Sequence, residues 1–184
     1  MPFLRRSDLL NSNQKLIVMT KFTSVLKGII ILTLALVTIQ CSEDDTLSGS
    51  GTVKMDGKSF SISAATMIGV SIDEDGHTAI SLFSINGSKT NTLTIDVESF
   101  TKATIEGEYA YPAVSDKKLL DDWLTNYAIF DGDTQTSESL ESGEVSITHN
   151  GDNNYTVDMN LTMLDGVTFI GSYTGDFEVM FNNN

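Results

Sequence analysis

From about residue 50 onward the chain alternates between apolar and polar positions. Tyr155, Val157, Met159, Leu161 and Met163 are separated by Thr156, Asp158, Asn160 and Thr162, which gives an extended segment one apolar and one polar face. Leu93, Ile95 and Val97 alternate in the same way with Thr94, Asp96 and Glu98, as do Val145 and Ile147 with Glu144, Ser146 and Thr148. Residues 67–72 and 79–85 are apolar on both faces, the pattern of central strands. Residues 167–181 alternate less cleanly, and Gly171 and Gly175 within them suggest a bulge or a close backbone approach. Asp56-Gly57, Asp75-Gly76, Asn86-Gly87, Asp131-Gly132, Asn150-Gly151 and Asp165-Gly166 are turn dipeptides that take positive φ at little cost, and five of them sit between strand-like runs. The pattern predicts an all-β fold of consecutive antiparallel hairpins, a β-sandwich or small barrel of about eight strands.

One stretch departs from the two-residue period. In residues 115–127, Leu119, Leu120, Trp123 and Tyr127 are spaced for one helical face, with Ser115 as N-cap and Asp116 in the first turn. A short helix covering an open end of the sheets is expected there. The acidic, Ser/Thr-rich residues 133–142 read as an exposed loop.

Residues 28–39 are apolar apart from two threonines. Twelve helical residues rise about 18 Å, well short of a hydrocarbon core of roughly 30 Å, and match a signal-peptide hydrophobic region flanked by Lys21 and Lys27. The single cysteine of the chain, Cys41, closes this run. Here the sequence resembles bacterial lipoproteins, with Thr38-Ile39-Gln40-Cys41 in the place of the lipobox. The resemblance implies that Cys41 carries a diacylglycerol, that the segment before it is removed, and that more than one acyl chain anchors the protein to a membrane. Ser42, Glu43, Asp44 and Asp45 resemble the acidic export signal of Bacteroidota surface lipoproteins, which implies an outer-membrane protein displayed at the cell surface. Asp45-Thr46-Leu47 resembles the O-glycosylation motif of exported Bacteroidota proteins, with Thr46 as acceptor. Met19 opens a conventional charged segment for the apolar run. The expected organisation is therefore residues 1–18 ahead of the true start, a signal peptide at 19–40, a polar tether at 41–51 and a β domain at 52–184.

Met55-Asp56-Gly57-Lys58-Ser59-Phe60, Gly107-Glu108-Tyr109-Ala110-Tyr111, residues 142–148 and the closing Gly171-Ser172-Tyr173-Thr174-Gly175-Asp176-Phe177 resemble small uncharacterised β-rich lipoproteins of Bacteroidota. That likeness implies a fold type and an envelope setting, and supplies no catalytic residues.

Charge narrows the partners. Five of the 11 basic residues and one of the 25 acidic residues precede Cys41, leaving six basic and 24 acidic beyond it, a balance of −18. Such a domain repels phosphate backbones, so nucleic acid is excluded as a partner. A lone cysteine forms no internal disulfide and no multi-cysteine zinc site. The two histidines, His77 and His149, stand in no metal-ligand spacing and read as surface residues. No G-x-S-x-G elbow is present. Asp73-Glu74-Asp75-Gly76 and Asp131-Gly132-Asp133 lack the terminal glutamate of a calcium loop and read as turns. No cofactor, metal or catalytic residue is assigned on this basis. Tyr109, Tyr111, Trp123 and Tyr127 are the candidate binding residues, able to stack on a sugar or grip a peptide, or else to fasten the expected helix to the sheet. The expectation is a non-enzymatic binding module for a glycan, a peptide or an envelope protein. A small hydrolase using an acidic pair, or a structural or inhibitory envelope component, is the alternative.

Overall fold

Strands form where the alternation foretells them. In the computed structural model, which describes residues 49–72, 75–99 and 102–181, thirteen follow one another. They are β1 (Gly49–Gly51), β2 (Lys54–Met55), β3 (Lys58–Ser59), β4 (Ala64–Ile72), β5 (Asp75–Asn86), β6 (Lys89–Val97) and β7 (Gly107–Tyr111). After these come β8 (Lys118–Leu119), β9 (Asn126–Asp131), β10 (Thr134–Gly151), β11 (Asn154–Met163), β12 (Thr168–Asp176) and β13 (Glu178–Met180). A single 3-10 turn, Lys102–Thr104, is the one helical piece among the described residues. No helix among them is long and apolar enough to cross a membrane.

The strands form one sheet in the order β13-β4-β5-β6-β9-β10-β11-β12-β2-β3, with β1 beside β12, β7 beside β10 and β8 beside β7. Most pairs are antiparallel, but β13 lies parallel to β4 and β8 parallel to β7, so the sheet is mixed. Its two ends do not pair, and it is not closed into a barrel.

Strand β10 joins the two halves. Thr134–Ser139 pairs with β9, whereas from Leu140 onward β10 pairs with β11 and, through Gly143–Ile147, with β7. The register slips between Leu140 and Ser142, and a local slip of this kind bends a strand. Gly143 sits just past the slip because a Cβ there would meet the Asn160 carbonyl oxygen at 2.6 Å. The halves share one core, to which β5 and β6 contribute Leu82, Leu93 and Ile95, and β11 and β12 contribute Val157, Leu161 and Phe169. The Phe169 ring touches Phe60 edge-on at 5.5 Å and Tyr127 at 5.7 Å between centroids.

The predicted architecture therefore needs correcting in three respects. An antiparallel sandwich or barrel of about eight strands gives way to a single open mixed sheet of thirteen. Of the strands that the alternation did not mark, β1, β2, β3 and β8 have two or three residues each, too few to show a period, whereas β7 and β9 have five and six. The short helix over residues 115–127 does not form. Leu120 is buried in the core and Tyr127 belongs to β9, while Leu119 and Trp123 are exposed, so the four side chains do not share a face. Asp121 bends the chain instead, since its Oδ1 accepts the backbone N–H groups of Trp123 at 2.9 Å and Leu124 at 2.6 Å. Such local bonds compete with helical ones. Of residues 133–142, expected as a loop, all but Asp133 belong to the first half of β10, where Thr134–Ser139 pairs with β9 and Leu140 begins the ladder with β11.

Candidate functional site

The register of β5 against β6 sets Thr78 opposite Val97 and Ala79 opposite Asp96. His77 is therefore a diagonal neighbour of Asp96, a separation long side chains span. Both point away from the face on which Ile80, Leu82 and Ile95 build the core. They are nevertheless buried, at 7% and 2% exposure. His77 Nδ1 and Asp96 Oδ1 lie 2.7 Å apart, a charge-assisted hydrogen bond.

The chain then brings in a third group. Strand β9 begins at Asn126, so β6 has no strand partner for Asp96 on that side, and the segment before β9 takes its place. The Asp121 N–H donates to the Asp96 carbonyl at 3.1 Å, and the Asp96 N–H donates to Thr125 Oγ1 at 3.0 Å. Thr125 is fully buried, and its own N–H donates to the Asp121 carbonyl at 3.0 Å. These bonds fasten the 121–125 turn over Asp96. They bring a carboxylate oxygen of Asp121 into a group with the His77 and Asp96 donor atoms, all within 4.8 Å of one another.

Electrostatics follow from this placement. The bond to Asp96 raises the His77 pKa above its ordinary 6.5, against the opposing effect of burial, and the Asp121 charge adds to the rise. Burial pushes the Asp96 carboxyl up from 3.8 to about 6, although His77 pulls the other way. The two titrate as a unit, and the unit holds protons more tightly than separate groups would. A carboxylate that orients an imidazole and stabilises its protonated form is an acid–base device. One nitrogen and two carboxylates are also a donor set for a divalent ion.

Several expectations change here. His77 is a buried partner in an ion pair, whereas His149 is exposed as expected, stacked on Tyr155 at 4.7 Å. The expectation of a non-catalytic binding module, and of a protein that is not an enzyme, rested on the lack of any catalytic set. The buried His77–Asp96 pair with Asp121 beside it overturns both.

The four aromatic candidates do not act alike. Tyr109 is fully buried, with its hydroxyl donating to the Ile105 carbonyl at 2.6 Å. Tyr127 is buried too and donates to Asp165 at 2.6 Å. Tyr111 is half-buried and bonded to the Asp122 carboxylate, and Trp123 is exposed in the turn after Asp121. Tyr109 and Tyr127 thus serve the core, and no helix is there for the four to fasten. Asp131 and Asp133 flank an exposed hairpin turn. Cys41, Ser42, Glu43, Asp44, Asp45 and Thr46 lie outside the described residues, as do Asp73 and Glu74.

Two open grooves lie elsewhere, one of about 540 Å³ that includes Lys117 and Glu144 and one of about 480 Å³ between Asp56 and Asn91. Lys117 bridges Glu144 at 2.8 Å and Glu108 at 3.7 Å across the first, and none of the three centre residues lines either groove. No protein-family model matches the chain, and neither a curated protein nor a solved structure matches it.

Proposed function

We propose that this chain is a small hydrolase whose working centre is His77, Asp96 and Asp121. The observation that carries the reading is the buried 2.7 Å bond between His77 and Asp96 with a second carboxylate converging on it. An ion pair with no chemical task is commonly replaceable by apolar residues at no loss of stability, so a lone buried one is poor value as scaffolding. In the proposed reaction Asp96 holds the imidazole by Nδ1 and leaves Nε2 to accept a proton from water. The hydroxide attacks an electrophilic carbon or phosphorus, and the imidazolium returns the proton to the leaving group. Asp96 stabilises the imidazolium between those steps, and Asp121 adds a second negative charge to the same end. The acidic pair of the alternative expected from sequence is thus Asp96 with Asp121, served by a histidine.

The test is a panel of chromogenic esters, phosphoesters and glycosides, run with the full chain and with His77→Gln. Turnover that places one ¹⁸O from labelled water in the product and falls by at least about 100-fold in the variant supports the reading. Turnover that survives in His77→Gln refutes it.

The address read from the N-terminus belongs to the same proposal. Acylation at Cys41 would tether the hydrolase to the outer membrane, with Ser42, Glu43, Asp44 and Asp45 directing it to the cell surface and Thr46 as a glycan acceptor. Its support is the short apolar run, the single cysteine that closes it and the acidic residues that follow. Labelled palmitate should enter the wild-type chain and fail to enter Cys41→Ser.

A further inference from the structure

We infer that His77, Asp96 and Asp121 together hold one divalent transition-metal ion of the zinc–manganese type. The inference rests on reading these three residues as the working centre, and it adds a resident ion to that centre.

Geometry is the first support. The donor atoms of the three side chains already lie within 4.8 Å of one another, on β5, on β6 and on the turn before β9. Ligands bound at 2.0–2.2 Å to one ion stand about 3.3 Å apart in tetrahedral arrangement. The His77–Asp96 contact must open from 2.7 Å by roughly half an ångström, and the longest gap, no more than 4.8 Å, must close by up to about 1.5 Å, through rotation of the His77 and Asp96 side chains toward the fixed Asp121. The turn need not move, because its backbone is bonded to Asp96 on both sides.

Pre-orientation is the second support. Oδ1 of Asp121 is committed to the N–H groups of Trp123 and Leu124, so the carboxylate is fixed in direction and would offer Oδ2 to an ion. Hydrogen bonds of this kind to a metal-binding carboxylate are what hold it in place. Asp96 is positioned differently: its main chain is bonded to Asp121 and Thr125, and its carboxylate is bonded to His77.

Charge and donor type then select the ion. Two carboxylates and a neutral imidazole balance a divalent charge, within a domain whose net charge attracts cations. One nitrogen among the donors disfavours calcium, which takes six to eight oxygens, and magnesium, which keeps its waters. With no thiolate or thioether in the set, soft ions are disfavoured too. Three protein ligands leave a position for water, the arrangement of catalytic rather than structural zinc. Such an ion would take over the activation of water from the imidazole.

The test uses the full chain stripped with a chelator, then titrated with zinc alone by calorimetry and with cobalt(II) alone by visible absorption. The expected result is uptake of one ion per chain, weakened at least about 100-fold in Asp121→Asn. That variant keeps an oxygen to accept the two backbone N–H groups, and circular dichroism confirms its fold; His77→Gln is the second variant. No stoichiometric uptake, or uptake equal in both variants and wild type, overturns the inference. The two proposals fail separately. Chelator-resistant hydrolysis without zinc uptake overturns the ion and leaves the hydrolase, whereas zinc uptake that depends on Asp121, in a chain that hydrolyses nothing, does the reverse.

Discussion

Replacing Asp96 with asparagine keeps the shape of the side chain and its capacity to hydrogen-bond, and removes its charge. Burial holds the carboxyl up at about 6 against an ordinary 3.8. Between those values the folded protein retains a proton that the unfolded chain has released. A raised folded-state pKa stabilises fully below the unfolded value, and that contribution disappears as pH rises through the folded one. For Asp96 the difference amounts to on the order of 3 kcal/mol. His77, raised from 6.5 chiefly by its bond to Asp96, extends the loss in the same direction above that pH. Urea unfolding in buffer containing a chelator, at pH from about 4 to about 7, reads the effect directly. Wild-type stability should fall across that range by roughly 3 kcal/mol more than that of Asp96→Asn. With a urea slope of roughly 2 kcal/mol per molar, the wild-type midpoint moves about 1.5 M further than the variant's. Carboxylates elsewhere act equally on both proteins and cancel. Parallel curves for the two would refute the placement of an ionisable Asp96 in a buried pair.

Further outcomes test other parts of the structure. All five tyrosines are held above their ordinary pKa of 10, Tyr109 at about 12 by burial. Stability should be complete below pH 10 and decline above it, so phenolate absorbance should appear together with loss of β-sheet circular dichroism; a gradual absorbance rise in the folded protein would contradict this. Gly171 has a φ of +140° and a Cβ there would meet the Thr52 carbonyl oxygen at 2.5 Å, whereas at Gly166, with a φ of +86°, nothing lies within 4 Å. Gly171→Ala should cost about 2–5 kcal/mol from strain and overpacking, against about 1 kcal/mol for Gly166→Ala, and equal midpoints in urea would count against the close approach of the Thr52 backbone. Tyr109→Phe should cost about 1 kcal/mol by freeing the Ile105 carbonyl, measured the same way.

Much of the β framework could be read from period and turn signals alone. The alternation from Tyr155 to Met163 is β11, and residues 79–85, apolar on both faces, lie in β5, where both faces are buried from Ala79 to Phe83 and Ile85 is exposed. Turns were less exact, since Asp75-Gly76 lies inside β5, where Ile72 pairs with Asp75. What could not be read was the way backbone bonds override local preference. The first half of strand β10 reads as loop because residues 134–137 are exposed and polar, yet their ladder with β9 is complete. Spacing alone cannot show that Asp121 will use its carboxylate to bend the chain. The centre was hidden for a related reason. Asp96 occupies a polar position of an alternating strand and so reads as solvent-facing. The usable signal was in its neighbour, because a strand apolar on both faces implies that the outer face is buried, and a carboxylate beside it on that face must find a partner. His77, two residues before Ala79 on the same face, is that partner.

The central claim is that these three side chains do chemistry, and turnover by matched proteins addresses it most directly. Wild type, His77→Gln, Asp96→Asn and Asp121→Asn, each shown to be folded, would be compared for kcat/KM on one hydrolysable substrate. The account predicts that all three substitutions abolish most of the activity while Trp123→Ala retains it. Equal turnover in all five proteins would contradict it.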